Sequence, residues 1–381
     1  MQGVIERRRA YLHLMRRFTL EKGSFTVQDI LQEAGVPRST VQDWIARLTL
    51  EGCVVLREPP RGRVPAQYAA ASAMPRTACR RIFTSVDGDL VEIVHECLSS
   101  ACAGFCGHHH AQGCGGEGIA VIRDGTLLRE YFRLGERDIR VGLYPDPAVA
   151  VTGVYHEGDE IIQRIRSVGG PSFSLTGMMS LARGVLGVEV IRDGECTEGR
   201  IRTRALTHLT IGIDNTDTRD DGATFALAIA LLEHLGALPG VFPIAHQVAM
   251  LCQSVPGKTA GNSCSAIEIA AEPGIIPEIT AETVRFIADE SSSDEWGIAL
   301  RCGLWIPAAL RWYGWKARSD IVTLSEAVGC ASGAGVLLAG REGRIGALAA
   351  VALSGIDASF LLDPYKNGIS LISDPRIRYP V

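Results

Sequence analysis

Seven consecutive residues, Gly212-Ile213-Asp214-Asn215-Thr216-Asp217-Thr218, put two carboxylates three positions apart and flank them with two hydroxyls. The apolar run Leu209–Ile213 before them reads as a strand. Arg219-Asp220-Asp221-Gly222 follows, and then Ala223–Leu235, a helix with Ala or Leu at most positions. Carboxylates at the end of a strand can hold Mg²⁺, and the N-terminus of a helix that follows offers N–H groups to a phosphate. The same residues also suit an Asx turn that caps the helix, since Asp, Asn and Thr favour such turns.

Two later segments carry compatible chemistry. Ser254-Val-Pro-Gly-Lys258-Thr-Ala-Gly261-Asn262 lies between apolar strands expected at Gln247–Leu251 and Ser265–Ala271. It contains Gly-Lys-Thr, but a Walker loop needs glycine five positions before Gly257, where Cys252 stands, so a P-loop is excluded. Lys258 is one of only four lysines in the chain and can supply a phosphate counter-charge or remain a solvated loop lysine. Gly340-Arg341-Glu342-Gly343-Arg344-Ile345-Gly346 precedes the small-residue run Ala347–Leu353. Its glycines allow the backbone close to a ligand, or equally allow a helix to pack tightly.

A third cluster is of another kind. Cys97, Cys102, Cys106, His108, His110 and Cys114 fall within 18 residues, spaced by Gly and Ala. Thiolates and imidazoles this dense can wrap zinc or an iron–sulfur cluster. The spacing C-x4-C-x3-C-x7-C lacks the paired CxxC knuckles of a zinc ribbon, and a glycine-rich loop with incidental cysteines is the alternative reading.

These residues need elements to hold them, and the 381-residue chain divides into three blocks. In residues 1–72, Thr26-Val-Gln-Asp29 is a capping box that starts a helix at Val27, which Gly35 ends near Ala34. Pro37 opens a second helix in which Val41, Ile45 and Leu48 face a core. Strands at Val54–Arg57 and Arg63–Tyr68 flank a basic tip, and the order of elements predicts a winged helix-turn-helix. Arg38, Ser39, Gln42, Arg61 and Arg63 would then meet nucleic acid, DNA or RNA, although such modules also dock proteins. Residues 79–203 alternate like strands around Asp-Gly turns, at Ile82–His95, Gly118–Arg123, Leu127–Phe132, Val185–Arg192 and Arg200–Thr203. Ser167-Val-Gly-Gly-Pro171 reads as a loop. Residues 205–381 form an α/β nucleotide-binding block. The whole is a multidomain α/β (α+β) protein.

Composition narrows the function classes. With 46% hydrophobic and 21% charged residues the chain is globular, and its apolar runs are too short to cross a bilayer. No secretory leader is visible, so a cytoplasmic location with reduced thiols is expected and a membrane role is not. Residues 1–81 carry fourteen basic against seven acidic side chains, although the whole chain has a net charge of −5. A polyanion would therefore be met at the N-terminal end. Oligomeric state is not legible.

The order GIDNTDT, VPGKTAGN and GRIGALAAV resembles the kinase-like ATP-binding domain of the archaeal 2-agmatinylcytidine synthetase, which modifies an isoleucine tRNA. That family has GIDDTDS, a PYKTRGN-like loop and a GLIGALAAVG-like glycine loop in the same order, matching roughly residues 206–360. The layout also resembles methanogenesis marker protein 11, a family with a related GIDDTDT domain behind a β-rich segment. The resemblance implies an ATP and Mg²⁺ site with Asp214 and Asp217 near the metal and Asn215, Thr216, Thr218 and Gly222 around them. Lys258 and Asn262 would contact phosphate or base, and Gly343, Arg344 and Gly346 would line the triphosphate. Asn215 replaces the family's second aspartate, and Ala260 replaces the arginine before its Gly-Asn pair. Asp289-Glu290 and Asp294-Glu295 fall where the family has an acidic segment before a glycine, here Gly297. Two function classes follow: an ATP-dependent phosphotransferase-like enzyme acting on a nucleic-acid or protein acceptor, or a DNA-binding regulator whose degenerate kinase-like domain senses a nucleotide.

Overall fold

The structure, a computed structural model, describes residues 2–364 apart from 63, 74–77, 113–119, 257 and 260. The chain divides into two compact units, residues 1–77 and 78–381.

The first unit is built from α1 (Gln2–Lys22), α2 (Val27–Ala34), α3 (Arg38–Leu50) and the antiparallel strands β1 (Val54–Glu58) and β2 (Gln67–Ala70). The expected capping box forms: Thr26 N–H donates to the Asp29 carboxylate at 2.7 Å, and Asp29 N–H donates to the Thr26 hydroxyl at 3.2 Å. Gly35 closes α2 in the left-handed conformation at φ 60°. Val41, Ile45 and Leu48 of α3 are buried with Met15, Phe25 and Ile30 in one core. The second strand starts at Gln67, later than the expected Arg63, because Pro65 has no N–H to give a strand ladder. Arg38, Ser39, Gln42 and Arg61 are exposed, and Arg63 lies outside the described residues.

The second unit opens with the hairpin β3 (Cys79–Asp87) and β4 (Leu90–Cys97), turned at Gly88 with φ 62°. Next come α4 (Ser100–Gln112), β5 (Ala120–Asp124), β6 (Leu127–Arg133), β7 (Gly135–Glu136), β8 (Val149–Glu157) and β9 (Glu160–Val168). Then follow α5 (Gly170–Met179), β10 (Val185–Asp193) and the 19-residue β11 (Cys196–Asp214). The remainder is α6 (Thr224–Gly236), β12 (Val241–Met250), β13 (Ser263–Ala271), α7 (Ile276–Glu290), β14 (Gly297–Cys302), α8 (Ala308–Ser319), α9 (Leu324–Ala334), β15 (Leu337–Gly340), α10 (Arg344–Leu353) and α11 (Ala358–Leu361). Two expectations change here. Residues 100–112 of the cysteine-rich stretch are helical as α4, which removes the glycine-rich loop given as the alternative there, and Ser167–Pro171, expected as a loop, joins β9 directly to α5. No helix among the described residues is long and apolar enough to cross a membrane.

β11 is the spine of a large curled sheet. Its first half pairs β9 on one side and β10 on the other, and Ala205 and Leu206 pair β3. Its second half pairs β13 and β14, giving the antiparallel order β12-β13-β11-β14-β15. The expected boundary at residue 204 thus falls inside one continuous strand. The two halves read differently for a physical reason. Thr197, Gly199, Ile201 and Thr203 are buried and alternate with exposed Arg200, Arg202 and Arg204, so that segment has one covered face. From His208 to Ile213 every residue is buried, because helices cover both faces. Leu209, Ile211 and Ile213 pack with α6 and α7 residues Leu231, Leu235, Ile279 and Ile287. On the other face α8, α9 and α10 cover Ala249, Cys264, Ala266 and Ala299.

Candidate functional site

β11 delivers Asp214 to the point where the N-terminus of α10 crosses the sheet. The approach there is too close for side chains. A Cβ on Gly343 would lie 2.6 Å from the Asp214 carbonyl oxygen, and one on Gly346 would collide with the Asp214 carboxylate. The acidic motif and the glycine motif, about 130 residues apart in the chain, therefore meet.

Asp214 is half-buried as a residue, and its carboxyl is the enclosed part. Burial pushes that carboxyl up to about 7; the Asp217 charge pushes the same way, and an N–H from Asn215 opposes both. Asp217 is fixed from two sides. The Thr224 hydroxyl, at the first turn of α6, donates to it at 2.9 Å, and the Thr259 hydroxyl lies 3.4 Å from its other oxygen. The N-terminus of α6 favours negative charge at that position. Among the described residues neither carboxylate has an ion pair with Lys, Arg or His. Two carboxylates left without a cation are a donor set that suits a hard divalent ion.

The remaining motif residues mostly build the loop. Asn215 takes a left-handed conformation at φ 58°, and its amide donates to the Glu295 carbonyl at 3.2 Å. Thr216 is buried with its hydroxyl 3.0 Å from that of Thr224. Thr218 bonds Asp221 within a turn, and Gly222, at φ 84°, sits beside Ser292 and Asp217. Asn262 donates its amide to the Cys252 carbonyl at 2.9 Å and so braces the lysine loop. The Lys258 ammonium bonds the Gln253 carbonyl of its own loop, while its neighbour Thr259 reaches Asp217. At α10, the N–H groups of Gly343, Arg344 and Ile345 are already bonded to the carbonyls of Glu295, Arg341 and Glu342. Arg344 also turns its guanidinium to the Arg341 carbonyl. The glycine segment thus favours tight packing, and its pull on an anion comes from the helix dipole more than from free N–H groups. Thr224 and Tyr313, whose hydroxyl donates to the Ile345 carbonyl at 3.0 Å, escaped the sequence reading. A single Thr at a helix start or Tyr inside a helix gives no spacing signal.

The second cluster is partly gathered. The sulfurs of Cys97, Cys102 and Cys106 lie within 4.8 Å of one another. A hydrogen bond from the Cys97 thiol draws the Cys106 thiol down to about 6, against burial, and holds Cys97 up. His110 is buried and turns to Glu130 instead, with Nδ1 2.6 Å from its carboxylate. His108 is exposed and packs against His109. Cys114 lies outside the described residues.

No family model matches the chain. Over 165 residues it is 31% identical to the tRNA 2-agmatinylcytidine synthetase TiaS of Pyrobaculum neutrophilum, which is 42% of this chain and 38% of the synthetase. Part of this chain is homologous to TiaS. The synthetase of Caldivirga maquilingensis is 31% identical over 143 residues, 37% of this chain and 34% of its own. The uncharacterized protein MJ0921 of Methanocaldococcus jannaschii is 27% identical over 184 residues, 45% of this chain and 60% of that one. The chain therefore spans three fifths or less of the curated relatives it matches. Among solved structures, the complex of TiaS with its tRNA and ATP aligns with a TM-score of 0.37 at 22% identity, covering 40% of this chain and 37% of the other.

Proposed function

We propose that the second unit is an ATP-using enzyme whose nucleotide site is centred on Asp214 and Asp217, and that its acceptor is tRNA or another RNA. The observation that carries this reading is a pair of carboxylates with no ion pair among the described residues, Asp214 against the N-terminus of α10 and Asp217 at the first turn of α6; the motifs around them resemble those of the synthetases in type and order. Asp214 and Asp217 are the residues that would hold Mg²⁺, which supplies neutralising charge beside a triphosphate when bound. Thr224 and Thr259 keep Asp217 oriented, and Asn215 with Gly343 fixes the turn beneath Asp214 through the Glu295 carbonyl. Lys258 exchanges its bond to the Gln253 carbonyl for a phosphate oxygen, a charge-assisted contact stronger than the neutral one it gives up.

We read the first unit as a winged helix that binds nucleic acid. Its support is the basic excess of residues 1–81 and the exposure of Arg38, Ser39, Gln42 and Arg61 at the start of α3 and the tip after β1. The competing reading, a DNA-binding regulator that senses nucleotide, draws on Asn215, whose amide stands where a third carboxylate could have been. The deciding experiment incubates the full chain with Mg²⁺, a tRNA pool and ATP labelled at the α- or the γ-phosphate. RNA-dependent release of ADP or AMP, or label on the RNA, supports the enzyme. No turnover with RNA, together with a nucleotide-sensitive shift of a DNA fragment, would replace it with the regulator.

A further inference from the structure

We propose that Cys97, Cys102 and Cys106 bind a single zinc ion that fastens α4 to the end of β4. Cys102 and Cys106 stand four apart on α4 and share one face, while Cys97 is the last residue of β4 and is held there by its N–H bond to the Thr126 carbonyl. All three thiols are free of disulfides. Around one tetrahedral zinc, Zn–S bonds of about 2.3 Å put the sulfurs about 3.8 Å apart. The observed limit of 4.8 Å needs only a small rotamer adjustment to reach that spacing. A 4Fe–4S cluster holds each thiolate on a different iron and a 2Fe–2S cluster splits them two and two, whereas three sulfurs mutually within 4.8 Å suit a single ion. Soft thiolates select zinc over the hard cations of the nucleotide site.

A second observation, independent of the sulfurs, points the same way. α4 contains Gly104, Gly107 and three consecutive histidines, residues of low helix propensity. Its buried residues are Ala103 and His110, so it has little apolar surface to anchor it. A 13-residue helix with so little apolar burial is marginal by itself. Tethers supply the difference: the His110–Glu130 bond near its C-terminal end and, on this proposal, the metal near its N-terminal end. Three thiolates of one tetrahedral set leave zinc one further coordination position.

The test uses the full chain purified without an affinity tag, with elemental analysis for zinc and iron. About one zinc per chain is expected, with iron at background. C97S, C102S and C106S should each lose the zinc, while C330S on α9 keeps it. To separate loss of metal from loss of fold, the wild-type chain is stripped with a chelator and followed by hydrogen exchange. Amides of residues 100–112 should lose protection and regain it when zinc alone is returned. Several iron atoms per chain, zinc retained by C102S and C106S, a disulfide among the three cysteines, or unchanged protection of α4 after stripping would each overturn the proposal. None of these readouts involves ATP, so failure here leaves the nucleotide reading untouched.

Discussion

Replacing Asp214 with Asn removes a charge that the folded chain holds at a cost. Burial lifts the carboxyl from an ordinary value of 3.8 to about 7, and Asp217 adds to the rise. Each pH unit of that gap corresponds to about 1.4 kcal/mol, so ionising Asp214 in the folded, cation-free chain costs about 4 kcal/mol. Between pH 4 and 7 the folded state holds a proton that the unfolded state has lost, so this group makes stability fall as pH rises through that window. The full penalty is present above 7, and none of it remains below about 4. Cys264 and Tyr313, the other titratable groups that sense Asp214, are both pushed upward and stay neutral across the window. Asn cannot ionise. Asp214→Asn should therefore gain about 2–4 kcal/mol over the wild type at pH 8 without Mg²⁺, and much less at pH 5. Urea unfolding of both proteins at the two pH values reads this as a difference of differences. The same variant should lose any stabilisation by Mg²⁺ and ATP. An Asn variant with no pH-dependent advantage would refute the claim that Asp214 carries an uncompensated buried charge.

Further outcomes follow from neighbouring geometry. Gly346→Ala drives a methyl group into the Asp214 carboxylate; it should cost about 1–3 kcal/mol in melting experiments and weaken ATP binding as well. The buried network in which Arg129 bonds both Glu92 (2.5 Å) and Glu268 (2.8 Å), with His208 3.0 Å from Glu268, ties β4 and β6 to β11 and β13. Arg129→Met strands two buried carboxylates and should cost about 3–5 kcal/mol, visible as a large fall in melting temperature. In the first unit, Arg38→Ala should leave the stability within about 0.5 kcal/mol of the wild type. It should weaken binding to nucleic acid and lower the salt slope by about one, as measured by fluorescence anisotropy across salt concentrations.

Local signals were legible and long-range ones were not. The Thr26–Asp29 capping box and Gly35 mark both ends of α2, because caps act within a turn of the residue that makes them. The Asp87-Gly88 hairpin was legible for the same reason. GIDNTDT and the glycine segment were visible as separate motifs, and their meeting at Asp214 depends on β11 and α10 crossing. The helix α4 is not legible in the sequence, because its glycines and histidines have low helix propensity and only Ala103 and His110 of it are buried. The strands β8 and β9 went unread, although Ile161, Ile165 and Val154 are buried there. The Arg129 network was invisible, since isolated charged residues on four strands carry no spacing pattern until the sheet pairs them.

Calorimetric titration of the full chain with ATP, with and without Mg²⁺, bears most directly on the nucleotide site. Binding should require Mg²⁺, and its affinity should rise with pH through about 7, because the Asp214 carboxyl must release its proton to solvent before its carboxylate can hold the cation. Asp214→Ala should abolish it, and Lys258→Met should weaken it about tenfold while leaving the fold intact. ATP binding that is indifferent to Mg²⁺ and survives Asp214→Ala, or no binding at any pH, would contradict the account.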